Sequence, residues 1–153
     1  MLPSTTKRVP KHTAPEINER IRQQTQDRIA LAVAGGPEGI QRRLEELDRE
    51  WDIERMLEAN AASISLVGLG LGAFIHRRFF ALPALVAGFL LQHALQGWCP
   101  PVPVLRRLGF RTQTEIEQER YALKLLRGDF KEVANPDTNI RPLHGDVLRA
   151  VLH

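Results

Sequence analysis

The central part of this sequence offers one thiol, two imidazoles at opposite ends of the apolar pair (His76 and His93) and a few carboxamides and hydroxyls for chemistry. Cys99 is the sole cysteine. It stands in "GWCPPVPVLRRLG", downstream of His93, with Gln92 and Gln96 four residues apart on one helix face. Asn60 and Ser63 lie upstream in a second apolar stretch. A reactive thiol needs a lowered pKa, from a helix N-terminus or from nearby cations. Cys99 instead follows an apolar run, at a helix C-terminus, where the dipole disfavours a thiolate. Arg106 and Arg107 are the nearest compensation. Two readings follow. Cys99 is a weak candidate for catalysis or sulfur handling, or it marks where the chain leaves an apolar phase. On the second reading the thiol alkylates slowly, and Cys99→Ser costs little at a wet boundary. No histidine or carboxylate stands at ligand spacing beside His93, and one cysteine excludes an internal disulfide or a multi-cysteine metal site. Neither metal nor cofactor is expected. A phosphate loop with its lysine, HExxH and GxSxG are all missing from the sequence.

The elements that must position these groups are set by the charge pattern. The chain carries 18 acidic residues, and none falls between Ala59 and Thr114. On either side, Lys/Arg and Asp/Glu nearly balance, which excludes the clustered positive charge of a nucleic-acid binder. Within the acid-free centre, residues 59–75 form one uncharged run and residues 79–98 another, separated by "HRR". At 1.5 Å per residue they span about 26 and 30 Å, against a bilayer core of about 30 Å. Spanning backbone must satisfy its own hydrogen bonds, which helices do. The fold class is therefore all-α: a transmembrane helical hairpin (59–98) with flanking cytoplasmic amphipathic helices. The competing reading is a buried helix pair in a soluble protein. Glycines at 68, 70, 72 and 88 argue against it, since each weakens a water-soluble helix, whereas in lipid they permit close packing. Gly68, Gly72 and Gly88 are the helix-packing candidates, within one hairpin or between the two hairpins of a homodimer. Residues equidistant from the turn share a depth, so Asn60, Ser63, Gln92, His93 and Gln96 are expected to form one intramembrane polar cluster, either as interhelical hydrogen bonds or as a permeation or substrate site. Arg77, Arg78, Trp98, Arg106 and Arg107 are expected at the lipid interface.

The flanks read as follows. Residues 1–14 are polar and proline-containing, and composition predicts a disordered tail. Residues 15–58 hold two helices. The first, from Glu16 to about Ala34, is capped by Thr13 and stopped by Gly35-Gly36. The second begins at Pro37 and carries the stripe Ile40, Leu44, Leu47 and Trp51. This stripe is the expected docking face for the membrane, for the chain's other helices or for a cytoplasmic partner. Residues 99–153 begin with a proline-rich exit that cannot continue a helix. A basic turn with Arg106, Arg107 and Arg111 follows. A helix over 115–128 is capped by Thr112 or Thr114, and a polar tail ends in a possible short helix, Asp146–His153. Arginines flank both outer ends of the hairpin, so both termini are expected in the cytoplasm.

Leu91-Gln92, Gly97-Trp98-Cys99-Pro100, Leu105-Arg106-Arg107-Leu108-Gly109 and Glu54-Arg55 together resemble the YgaP-like transmembrane domain family of bacterial inner-membrane proteins. The resemblance covers roughly Trp51 to Thr112. It implies a two-helix hairpin, often homodimeric, in the bacterial inner membrane. Some members are fused to a rhodanese domain, which implies a link to sulfur transfer or export. This chain departs from the pattern by its extra prolines after Cys99, and no rhodanese domain is expected in its 153 residues. The leading expectation is a non-enzymatic membrane scaffold or interaction protein. The runner-up is a transporter-like or sulfur-handling module centred on Gln92, His93, Gln96 and Cys99.

Overall fold

The computed structural model describes residue 4 and residues 6–130, so the tail from 131 and the short helix expected over Asp146–His153 lie outside the described residues. All regular structure among the described residues is helical: α1 (Arg8–Lys11), α2 (Pro15–Ala34), α3 (Gly36–Arg49), α4 (Ile53–Phe74), a 3₁₀ turn (Arg77–Phe80), α5 (Ala81–Gln96), α6 (Val102–Arg107) and α7 (Gln113–Arg127). The described residues divide into two compact units, one within Met1–Gln24 and Glu50–Ile116, the other within Thr25–Arg49 and Glu117–His153.

In the first unit, Asp52 adopts an extended conformation and its carboxylate accepts the Arg55 N–H at 2.6 Å, starting α4. The 22 residues of α4 extend about 33 Å. At the far end the His76 imidazole accepts the Arg78 N–H at 3.1 Å and opens the 3₁₀ turn. Pro83 falls in the first turn of α5, where its missing N–H costs nothing. α5 stops at Gly97, whose φ of +78° is a left-handed cap, its N–H bonded to the His93 carbonyl. A Cβ at Gly97 would lie 2.6 Å from the Arg8 backbone, so α1 packs directly on this turn.

That contact corrects the reading of a disordered tail for residues 6–14. Val9 is 1% exposed and joins Ile53, Leu57, Cys99, Val102 and Leu105 in the core of this unit. Composition misleads here because one apolar residue in a polar segment is enough to seat a single helical turn. Thr13 is also reassigned. Its hydroxyl donates to the Val9 carbonyl at 2.9 Å and closes α1, while Ala14 accepts the first N–H groups of α2. The proline run corrects a third expectation. Pro101 and Pro103 stand at the start of α6, where no N–H is required, so the segment that ends one helix begins the next.

The second unit combines residues of α2, α3 and α7. Ile40, Leu44 and Leu47 are buried, and Leu123 is fully enclosed. α2 and α3 approach backbone to backbone, since a Cβ at Gly39 would lie 2.5 Å from the Ala32 carbonyl oxygen. α3 and α7 are joined by polar pairs. Arg43 donates to the fully buried Glu119 at 2.7 Å, Arg127 donates to Gln41 at 2.6 Å, and Arg120 pairs with Asp48.

Candidate functional site

Two helical stretches, within Gly36–Phe74 and Arg77–Gln96, are long and apolar enough to cross a membrane. Only 22% and 6% of their most apolar windows is buried. Many of the large side chains of α4 beyond Ala61 and of α5 are exposed: Leu66 is 70% exposed, Phe74 90%, Leu85 57% and Leu91 62%. A pair of core helices in water would hide these groups, because each buried Leu or Phe side chain gains about 1.5–3 kcal/mol. α4 and α5 touch where side chains are small. A Cβ on Gly68 would meet Pro83 at 2.8 Å and Leu82 at 3.1 Å, and one on Gly72 would meet the Phe80 ring at 2.7 Å. Gly68 and Gly72 therefore serve packing within the chain, while the positions of Gly70 and Gly88 open onto free space. Arg77 and Arg78 are exposed at the turn.

The polar cluster expected between the helices does not assemble. Asn60, Ser63 and Gln96 are exposed, and Gln92 is half-buried. The Ser63 hydroxyl donates to the Ala59 carbonyl of its own helix at 2.8 Å. No hydrogen bond joins any two of the five residues. Depth below the turn places residues at one level, but rotation about each helix axis decides which of them face one another. His93 alone turns inward, 7% exposed, with neither ring nitrogen hydrogen-bonded. Beside it, Arg8 donates to the Ala94 carbonyl at 3.1 Å, which satisfies one orphan acceptor at the end of α5.

Cys99 is enclosed by apolar side chains. It is 4% exposed within the apolar core of the first unit, and burial pushes its thiol pKa up. A thiol so placed is a weak nucleophile.

The basic turn is also reorganised. Arg107 is exposed, but Arg106 and Arg111 are 0% and 1% exposed, enclosed by the protein itself. Arg106 donates to both Glu115 oxygens at 2.6 and 2.8 Å, to Asn18 at 2.9 Å and to the Phe110 carbonyl at 3.1 Å. Arg111 grips Glu50 in the same two-pronged way, at 2.7 and 2.8 Å. Such bidentate pairs suit the planar guanidinium. Burial opposes ionisation of Glu115. The bonds from Arg106 and Thr112 outweigh it and hold the carboxyl below the usual glutamate range. Thr112 and Glu115 form a reciprocal capping box, with Thr112 N–H to Glu115 at 2.8 Å and Glu115 N–H to the Thr112 hydroxyl at 3.2 Å. Sequence reasoning missed Glu50, Glu115 and Asn18 as partners. The Thr-x-x-Glu spacing was the one available signal.

Of the Ile40, Leu44, Leu47 and Trp51 stripe, the first three are enclosed in the protein's own fold. Only Trp51 is open, its ring stacked under the Arg55 guanidinium at 4.4 Å. Ile40, Leu44 and Leu47 thus pack inside the chain's own fold, and Trp51 does not. Among the described residues no three His, Cys, Asp or Glu side chains converge. No known protein family, curated protein or solved structure matches the chain.

Proposed function

We propose that this chain is an integral membrane protein in which α4 and α5 form a membrane-inserted hairpin, and that its role is non-enzymatic: a scaffold or interaction protein held at the membrane surface. The observation that carries this reading is the outward apolar surface of both helices, from Ile64 to Ile75 on one and Leu85 to Leu95 on the other. An uncovered apolar surface beyond a few hundred Å² marks a membrane or protein contact. Length supports the membrane: α5 with its 3₁₀ turn extends about 32 Å. The exposed Arg77 and Arg78 fit a headgroup layer at the turn.

Both outer ends of the hairpin then lie on one side, the cytoplasmic side of a bacterial inner membrane on the family resemblance. Ile40, Leu44 and Leu47 being enclosed, a protein partner would use the apolar side chains left open outside the spans, Leu31, Leu125 and Leu126. A homodimer would form on the open face around Gly70 and Gly88 rather than through Gly68 and Gly72.

Alkaline carbonate extraction of membranes from expressing cells tests insertion. The chain is expected in the pellet, and release into the supernatant refutes the reading. Impermeant thiol labelling of Arg77→Cys in a Cys99→Ser background tests orientation: labelling from outside intact cells is expected.

A further inference from the structure

α4 and α5 do not close along their whole length. Toward the Cys99 end they leave a crevice of about 280 Å³, walled by Ala61 and Ile64 of α4, Leu85 and Phe89 of α5, and the Cys99–Pro101 turn. Asn60 is the one carboxamide at its wall, and no charged side chain lines it. For scale, a closed apolar cavity of roughly 150 Å³ takes up benzene. The rim of the crevice is continuous with the outer surface of the helices: Ile64 and Leu85 belong to the wall and are 44% and 57% exposed. Hydrocarbon can therefore enter from the flank without crossing a polar group.

We infer that this crevice holds one acyl chain of a bilayer phospholipid. The inference rests on the membrane reading above. The chemistry of the wall selects the occupant. With a single carboxamide and no cation, the interior recognises no headgroup, sugar or carboxylate. It offers methylene-sized contacts alone, and the bilayer is the source of such chains beside these helices. Ala61, 8% exposed, is the small residue whose enlargement fills the space from within.

The test uses the full chain reconstituted into palmitoyl-oleoyl phosphatidylglycerol vesicles, extracted into detergent and weighed intact by native mass spectrometry. The wild type is expected to keep one phospholipid. Ala61→Phe and, independently, Leu85→Trp are expected to lower that fraction at least tenfold. Gly88→Ala, outside the crevice, leaves it unchanged. Far-ultraviolet circular dichroism checks that each variant is folded. A wild type that keeps no phospholipid, one that keeps a free fatty acid instead, or folded crevice variants that keep as much phospholipid as the wild type overturn the assignment. Carbonate extraction of the same vesicles separates the two failures. A chain that resists carbonate yet keeps no phospholipid refutes the crevice alone, whereas a chain released by carbonate refutes the membrane reading and the crevice with it.

Discussion

Arg106 shows how a single residue changes meaning between sequence and structure. Beside Arg107 it looks like half of a basic pair at a lipid surface. In the fold it is fully buried and bonded to Glu115, Asn18 and the Phe110 carbonyl. Removing one member of a buried pair strands the other, at about 3–5 kcal/mol. Arg106→Ala is therefore expected to lower the thermal midpoint sharply, whereas Arg107→Ala, at an exposed position, changes it little. The pair also predicts a pH dependence. The Glu115 pKa is depressed in the folded chain, so its stabilisation is complete above the unfolded value, about 4.3, and is lost as pH falls through the folded value. Glu115→Gln is expected to flatten that acid limb in melts followed between pH 7 and 3. Cys99 behaves in the opposite sense. Its burial in the core makes Cys99→Ser cost about 1–3 kcal/mol for the buried hydroxyl, rather than nothing. Its raised pKa makes iodoacetamide alkylation slow at pH 7 in the folded protein, faster above the ordinary thiol range and fastest after unfolding. Rapid reaction near pH 6 would restore the sulfur-handling reading.

For the helix pair α4 and α5, glycine position decides which substitutions matter. Gly72 presses on the Phe80 ring and Gly68 on Pro83, whereas Gly70 and Gly88 face open space. Gly72→Leu and Gly68→Leu are expected to force the helices apart and lower the midpoint in detergent. Gly70→Ala and Gly88→Ala are expected to raise it slightly, by up to about 1 kcal/mol each, because alanine restricts the unfolded chain without meeting a neighbour. Equal effects at all four positions would show that the helices do not pack as described. The short elements obey the same local logic. α6 exists because prolines are tolerated at a helix start, and α7 because Thr112 and Glu115 satisfy its first N–H groups.

For the molecule as a whole, the two units answer to different forces. The second is held by a small apolar interior, with Leu47 and Leu123 nearly sealed, and by the Arg43–Glu119 pair. Leu47→Ala is expected to cost about 2–5 kcal/mol of its stability. The same substitution should leave carbonate resistance intact, since membrane retention is assigned to α4 and α5. Loss of retention in Leu47→Ala would move that assignment to the second unit.

Much of the element order was legible in the chain. The acid-free centre marked the two apolar helices, Gly35-Gly36 marked the break between α2 and α3, and the Ile40, Leu44 and Leu47 spacing marked an apolar stripe. These are local properties: charge exclusion, backbone freedom and helical period act over a few residues and are written in order along the sequence. What the tertiary structure alone decided was which way each group faces. Val9 seats a tail read as disordered; Asn60, Ser63 and Gln96 stay exposed, with no hydrogen bond among them or to Gln92; His93 and Cys99 turn inward; and Arg106 and Arg111 leave the surface for Glu115 and Glu50. Each outcome depends on helix rotation and on partners distant in the chain. Asn18 and Arg106 are 88 positions apart, and no local pattern specifies that meeting.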